Sequence, residues 1–247
     1  MGILARPVAN FFSTMGRTSA FSFKKKKLPI WGTKGFEFWT FLSLLLLKSK
    51  PRSILELGSG RSTITLGEYA KYSGAEFVSL ETNKWWFDKS RMEMRAAGLP
   101  DGAVHHVAID GTTGWYEAKP FDSVVLQRAP YDFVLFDAPN REDGDSRGMR
   151  DAPAALENLR TCATGAVTIV VDDVHRRHVM NSVDLILDPV SDYEKYFYDY
   201  RVVPAYLNTL CICVRKGTEA QAAMPLVADM LGMNVYSDFS PERCVQD

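Results

Sequence analysis

Glycine and acidic residues recur in this sequence at points where short apolar stretches end. The stretch 53–57 runs into Gly58-Ser59-Gly60, and the stretch 76–80 is followed by Glu81. Glycines at such a point let the backbone approach a ligand closely, and a carboxylate after the next strand can accept both hydroxyl groups of a ribose. This spacing therefore indicates a binding site for a ligand that contains a ribose.

Three further apolar stretches also end in carboxylates, namely Asp110, Asp137 and the pair Asp172-Asp173. Neighbouring strands lie about 4.8 Å apart, so side chains at adjacent strand ends can converge on one ion. Asp137, Asp172 and Asp173, together with waters and substrate oxygens, suit a hard octahedral cation such as Mg²⁺. In a purely structural alternative, Asp172 or Asp173 caps the following helix and Asp137 shapes a turn.

The elements that carry these residues alternate between strand and helix. The pattern predicts strands at 53–57, 76–80, 103–109, 131–136 and 167–171, and helices at 36–48, 83–97 and 153–162. A further helix, capped by Ser62 or Thr63, is predicted to run to about Tyr72. Strands separated by helices favour right-handed crossovers and a mostly parallel sheet. Two further runs, 196–203 and 207–214, predict an antiparallel hairpin at one edge. The predicted fold class is therefore α/β, a Rossmann-like doubly wound sheet of seven strands, mostly parallel with an antiparallel final strand.

Composition excludes several classes of protein. The chain has 247 residues, of which 46% are hydrophobic and 24% charged, so disordered, collagen-like and coiled-coil classes are excluded. The net charge of −1 gives no overall attraction to nucleic acid, and we expect no nucleic-acid partner. Four irregularly spaced cysteines do not form a disulfide framework, and no secretory signal is visible, so we expect a cytoplasmic protein.

The two ends of the chain differ from its middle in amino-acid composition and pattern. Residues 1–35 form a basic and aromatic N-terminal extension, which includes the run 24–27 of four lysines and has no acidic residue. This arm is either a solvated linker or a peripheral contact with a membrane or an acidic partner. Residues 36–216 form the main domain, and 217–247 a C-terminal extension. A helix predicted at 220–231 could cover the sheet edge or pair with a second subunit in a homodimer.

Two of these features together resemble a known family. The segment Ile54-Leu55-Glu56-Leu57-Gly58-Ser59-Gly60 resembles the first motif of class I S-adenosylmethionine-dependent methyltransferases, and the hairpin at 196–214 is similar to their reversed final strand. By that resemblance, Glu56 and the 58–60 backbone hold the methionine part of the cofactor, Glu81 holds the ribose, and Ile109-Asp110 borders the adenine. The full set of cofactor-binding residues implied is Glu56, Gly58, Ser59, Gly60, Ser62, Glu81, Ile109, Asp110 and Asp137.

Further motifs narrow the resemblance to a small-molecule O-methyltransferase subgroup. The loop 58–63, Gly-Ser-Gly-Arg-Ser-Thr, is similar to that subgroup's Gly-x-Gly-x-Ser-Thr, although it lacks the third glycine of a dinucleotide fingerprint. The stretches 131–139 and 150–154 resemble an Asp-Gly-Pro turn and an Arg-x-x-Pro-Ala-Leu helix. Trp115-Tyr116 resembles an aromatic pair after the third strand.

The carboxylates after strands four and five are also similar to the metal site of catechol-type and macrolide-sugar O-methyltransferases. In the catechol-type pattern a lysine base stands three residues after the strand-four aspartate, where this chain has Asn140. The candidates for the base are therefore Asp137 and His175, whose imidazole titrates in the neutral range.

We therefore predict methyl transfer from S-adenosylmethionine to an oxygen of a small-molecule acceptor. Transfer assisted by Mg²⁺, bound by Asp137, Asp172 and Asp173, and transfer without a metal both stay open. The alternatives are a nicotinamide or nucleotide-sugar enzyme of the same layout, and a non-catalytic scaffold attached through its N-terminal basic arm.

Overall fold

A computed structural model of the chain describes residues 34–137, 153–176, 179–181, 183, 192–203, 206–230 and 235–236. The basic run 24–27, and with it almost all of the predicted N-terminal extension, lies outside the described residues. So do the stretch 138–152, with Asn140, and the end of the chain from 237.

One sheet runs through the molecule. Its strands are β1 (Ser53–Leu57), β2 (Glu76–Glu81), β3 (Val104–His106), β4 (Phe133–Phe136), β5 (Thr168–Val171), β6 (Tyr193–Val203), β7 (Tyr206–Arg215) and β8 (Val235–Tyr236). Their order across the sheet is β3-β2-β1-β4-β5-β7-β6-β8. The first five strands pair in parallel, whereas β7 runs antiparallel to both β5 and β6.

This arrangement confirms the predicted doubly wound, mostly parallel sheet with a reversed final strand. Within the described residues an eighth strand is added, because the two-residue β8 pairs antiparallel with β6. The predicted hairpin lies at one edge of the parallel strands, with β7 between β5 and β6.

Helices cover both faces of the sheet. They are α1 (Lys34–Ser49), α2 (Arg61–Ser73), α3 (Lys84–Ala96), α4 (Ala118–Val124), α5 (Pro153–Ala163) and α6 (Glu219–Met230). Short 3₁₀ turns lie at Asp101–Ala103 and Leu126–Arg128. No helix in the described ranges is long and apolar enough to cross a membrane.

The core is divided between the two faces because successive side chains of a strand point to opposite sides. Leu55 and Leu57 of β1 pack in one cluster, with Leu159 of α5. Ile54, which precedes Leu55 and points to the opposite side, packs in the other cluster with Phe41 of α1. Buried on both faces, β1 is held rigidly, and so is the loop that leaves its carboxyl end.

Three details differ from the sequence predictions. Helix α2 begins at Arg61 with Gly60 as its N-cap, so the predicted cap at Ser62 or Thr63 is wrong. Strand β3 ends at His106, and Ile109 instead forms an isolated bridge with Tyr116. Helix α4, with a proline in its first turn, was not predicted because it is short and has no clear apolar period.

The predicted C-terminal helix is present as α6. Its residues Ala220, Ala223 and Met224 pack with Phe41 and Leu45 of α1. Much of the apolar face of α6 is therefore buried against α1 of the same chain.

Candidate functional site

The loop after β1 turns sharply at Gly58. Its φ of 97° lies in the region that glycine adopts without steric cost, and its N–H donates to the Leu80 carbonyl at 2.8 Å. The loop thus crosses towards β2 before α2 begins. A Cβ added at Gly60 would meet no atom within 4 Å, so this part of the loop borders open space. The first N–H groups of α2, which have no partners within the helix, lie next to that space.

Glu56 lies beneath this loop and is fully buried. Its Oε1 accepts a hydrogen bond from Ser62 Oγ at 2.5 Å. Its Oε2 accepts from Thr63 Oγ1 at 2.7 Å and from Ser79 Oγ at 2.6 Å. Burial raises the pKa of Glu56 to about 7, although the three hydroxyl donors act in the opposite direction. Glu56 therefore contacts the loop from inside, and the expected contact between Glu56 and the methionine part of a cofactor stays a prediction.

Glu81, at the end of β2, holds the start of the same loop. Its Oε2 accepts from the N–H and the hydroxyl of Ser59, both at 2.9 Å, and its Oε1 accepts from Asn83 N at 2.8 Å. Ser90 of α3 in turn donates to Ser59 Oγ at 3.0 Å. A carboxylate offers about four acceptor positions, so one position of Glu81 is left for a ligand hydroxyl.

Glu56 and Glu81, called here the acid pair, have no basic partner within the described ranges. The ion pairs there involve other carboxylates, and the nearby charge that acts on Glu56 is Glu81 itself. Two buried acids without a counter-ion favour a ligand that carries positive charge. The neighbouring helix start favours a negative group on the same ligand.

The segment after β3 is a tight turn. Asp110 Oδ1 accepts from Thr112 N at 2.7 Å, and Asp110 N donates to the Trp115 carbonyl at 2.8 Å. Ile109 and Asp110 are half-buried, as expected for residues at the edge of a cleft. Trp115 and Tyr116 are buried in the core, so this aromatic pair supports the turn from behind.

The three predicted metal ligands lie after β4 and β5. Asp137 N donates to the Leu57 carbonyl at 2.8 Å, which brings the half-buried Asp137 beside the Gly58 turn. Asp172 Oδ1 accepts from the N–H of Asp173 at 2.7 Å. Asp173 has a φ of 61° and forms an ion pair with Arg176 at 3.3 Å.

No group of three or more His, Cys, Asp or Glu side chains is placed to hold a metal ion in the part of the chain that the structure describes. The predicted set of Asp137, Asp172 and Asp173 is therefore not assembled as a cation site in this structure. Asp173, one of these three residues, has a structural role instead, because its carboxylate forms an ion pair with Arg176.

His175 follows Asp173 in a turn and not in the first turn of a helix. Residues 174–176 are not helical. The turn is fixed to β7, since Val174 N donates to the Thr209 carbonyl at 3.0 Å. His175 is only 5% exposed, so it is not a solvated side chain. Its role as a base stays a prediction.

Sequence reasoning missed the hydroxyl groups that surround the acid pair, chiefly Thr63, Ser79 and Ser90. Ser79 lies opposite Glu56 in the parallel pairing of β1 and β2, a register that the sequence does not specify. His106 was also missed as a contact, and its Nε2 lies 2.9 Å from the Thr82 carbonyl next to Glu81.

Among solved structures, the chain is similar to the O-methyltransferase TomG from Streptomyces achromogenes, which is involved in tomaymycin synthesis and was solved in complex with S-adenosylmethionine. The TM-score is 0.51 at 18% identity, covering 83% of this chain and 90% of that one. This chain has the Rossmann-like methyltransferase fold. The sheet order and the reversed β7 agree with that likeness.

Sequence comparison points to one methyltransferase family over part of this fold. The family model of protein-L-isoaspartate(D-aspartate) O-methyltransferase matches residues 38–138. Protein-L-isoaspartate O-methyltransferase 1 of Marinobacter nauticus is 31% identical over 116 residues, which is 46% of this chain and 49% of the relative. The Alkalilimnicola ehrlichii protein-L-isoaspartate O-methyltransferase is 31% identical over 90 residues, 35% of this chain and 38% of the relative.

The chain thus spans half or less of the length of the curated relatives it matches. The matched stretch contains the acid pair, the Gly58 loop, Asp110 and Asp137, but it ends before Asp172. The likeness therefore concerns the first half of the fold.

Proposed function

We propose that the protein transfers the methyl group of S-adenosylmethionine to an oxygen atom of its acceptor. The observation that carries this proposal is the buried acid pair without a basic partner, which borders a glycine loop at the carboxyl ends of β1 and β2. S-adenosylmethionine has a sulfonium, an ammonium, a carboxylate and a ribose, which match the acids and the helix start.

The residues that would hold the cofactor each have a defined task. Glu81 would accept a ribose hydroxyl at its remaining acceptor position, and the turn at Asp110 would border the adenine. The Gly60 backbone would lie against the methionine part, because no side chain fills that space. When bound, the cofactor supplies an electrophilic methyl group. Since such a transfer is an in-line displacement, positioning of the acceptor would supply much of the rate.

We further propose a carboxylate oxygen of an isoaspartyl peptide as the acceptor. Both curated relatives are named for that substrate. A carboxylate attacks without losing a proton, so it needs neither a lysine base nor a metal to activate it. Asn140 in place of that lysine, and the Asp173–Arg176 ion pair, agree with such an acceptor.

A small-molecule hydroxyl, the acceptor predicted from sequence, is the second candidate. The loop motif at 58–63 and Trp115-Tyr116 favour it. It requires a base, for which Asp137 and His175 remain the candidates, and it leaves room for Mg²⁺.

One labelling experiment separates the two acceptors. The protein is incubated with S-adenosylmethionine labelled in its methyl group, and with either an isoaspartyl peptide or a panel of catechols and sugars. A methyl ester releases methanol in mild base, whereas a methyl ether does not. Base-labile label on the peptide supports the first acceptor, and base-stable label on a small molecule supports the second. Binding of NAD in place of S-adenosylmethionine in a calorimetric titration would contradict both.

The remaining predictions from sequence concern the whole protein in the cell. We propose a cytoplasmic enzyme without a nucleic-acid partner, and we leave the basic arm and the homodimer as alternatives for experiment. If the protein is instead a scaffold, neutralising the lysines at 24–27 abolishes its function and Glu81→Ala does not.

A further inference from the structure

Glu56 has no surface left for a ligand. Its side chain is fully buried, and both of its oxygens accept hydrogen bonds from hydroxyl groups of the chain. Two of those hydroxyls, on Ser62 and Thr63, belong to the first turn of α2, and the third, on Ser79, belongs to β2. Glu56 can therefore be connected by hydrogen bonds to a ligand only through the loop.

Thr63 connects Glu56 to the loop backbone. Its hydroxyl donates to Glu56 Oε2 at 2.7 Å and accepts from the Gly60 N–H at 2.8 Å. Gly60 is the residue whose backbone borders open space. Glu56, Thr63 and Gly60 thus form a continuous chain of hydrogen bonds from the buried carboxylate to the face of the loop.

The direction of these bonds depends on the charge of Glu56. An ionised carboxylate only accepts, so all three hydroxyls can donate to it at once. A proton on Glu56 must itself be donated, and one hydroxyl then has to turn and accept. The hydroxyl of Ser62 is the one able to turn, because it is alone on Oε1 and has no second bond of the kind that Thr63 makes with Gly60.

We propose that Glu56 is a positioning residue whose ionised form sets the Gly60–Thr63 segment for the cofactor, so that cofactor binding and loss of a proton from Glu56 favour each other. This inference rests on the proposed function. A ligand that carries positive charge adds to the effect, since it stabilises a nearby carboxylate.

The polar and charged groups around Glu56 are consistent with a coupling between its ionisation and cofactor binding. From α2 they are the hydroxyls of Ser62 and Thr63, and from β2 they are Ser79 and, beyond it, the carboxylate of Glu81. On the β4 side the opposite residue is the apolar Leu135. Burial, helped by Glu81, raises the pKa of Glu56 to about 7, so its charge changes in the neutral range.

The test is the pH dependence of cofactor binding. S-adenosylmethionine is titrated calorimetrically into the full chain between pH 5.5 and 8, in buffers of different ionisation heat so that released protons are counted. For the wild type we expect affinity to fall below pH 7, approaching tenfold per pH unit, with proton release on binding. Glu56→Gln should bind more weakly and lose this slope.

A matched control is Glu68→Gln. Glu68 of α2 is 1% exposed, and burial likewise raises its pKa to about 7, but it makes no hydrogen bond to the loop. It should keep the wild-type slope. The α-amino group of the ligand titrates at about pH 8 in every variant, so the difference between wild type and Glu56→Gln isolates Glu56.

The outcomes are distinct. A wild type that binds S-adenosylmethionine with no slope below pH 7, a Glu56→Gln protein that keeps the slope, or a Glu68→Gln protein that loses it overturns the inference alone. No binding at any pH overturns the proposed function, and the inference with it.

If Glu56→Gln does not fold, Ser62→Ala replaces it. Loss of a hydrogen bond to the carboxylate should then move the midpoint of the slope above that of the wild type, and an unmoved midpoint contradicts the coupling.

Discussion

Glu81 accepts two hydrogen bonds from Ser59, one from the backbone N–H and one from the hydroxyl, both at 2.9 Å. The two residues are 22 positions apart in sequence, and their contact ties the loop after β1 to the end of β2. The residue that we expect to bind ribose therefore also fixes the loop that we expect to bind the methionine part. Loss of Glu81 should affect both halves of the cofactor.

We predict that Glu81→Ala weakens S-adenosylmethionine binding by about 10- to 100-fold, the loss expected when hydrogen bonds to a charged group are removed. Isothermal titration measures it. Glu76→Gln is the matched control, because Glu76 is an exposed residue at the other end of β2. If Glu81→Ala and the wild type bind the cofactor equally well, the cofactor does not bind at the carboxyl ends of β1 and β2.

Gly60→Ala tests whether the open space beside the loop belongs to the ligand. The φ of Gly60 is −178°, which is extended backbone, and the added methyl group meets no atom of the chain, so we expect a small change in Tm. Cofactor affinity should nevertheless fall about tenfold or more, because the methyl group occupies ligand space. Gly102→Ala, which also points into open space but lies in a 3₁₀ turn, should leave affinity unchanged. Unchanged affinity in Gly60→Ala would place the cofactor elsewhere.

Glu68 should make the stability of the protein pH-dependent. Its carboxylate is buried without a hydrogen-bond partner, and burial raises its pKa from 4.5 to about 7. The folded state therefore binds the proton more tightly than the unfolded state. The resulting contribution to the free energy of unfolding is fully present below pH 4.5 and is lost as the pH rises to about 7.

Glu68→Gln should accordingly raise Tm at pH 8 by about 2–4 °C, the shift that about 1 kcal/mol produces in a chain of this size. At pH 4.5 the difference from the wild type should be small. Thermal unfolding followed by circular dichroism at both pH values measures it. A variant that is less stable than the wild type at pH 8 would mean that ionised Glu68 is stabilised in the folded protein.

The metal prediction is tested by chelation. With a carboxylate acceptor we expect full methyl transfer after EDTA treatment, whereas loss of activity that Mg²⁺ restores would support the metal-assisted reaction predicted from sequence. Replacing both Asp172 and Asp173 by alanine should reduce transfer and leave cofactor binding intact. Cofactor binding that disappears in this double variant would indicate that the β5 end supports the whole cleft and not only the acceptor.

Much of the site could be predicted because its residues are defined by local sequence. Gly58 follows a short apolar strand at a turn that needs a positive φ, and the strand bounds of β1 agree with the prediction residue for residue. Glu81 could be found in the same way, by its position directly after a strand. The helix start at Arg61 could not, because the N-cap Gly60 has no side chain and the hydroxyl that accepts from its N–H belongs to Thr63, inside the first turn.

The sequence leaves open the direction in which the side chains at the strand ends turn. The sequence places three carboxylates at the ends of β4 and β5, but it does not tell whether their side chains turn towards one another. In the structure Asp173 turns instead to Arg176, and Val174 is held by Thr209 of β7.

By itself the sequence determined the order of the elements and the acids that follow the strands, since strand ends and turns are specified by neighbouring residues. Only the tertiary structure decided what those acids do. Glu56 and Ser79 are 23 positions apart, and the register of β1 against β2 brings them together. That register, with the burial around it, makes Glu56 a support beneath the loop, because hydrogen-bond partners and solvent exposure are set by packing between distant segments of the chain.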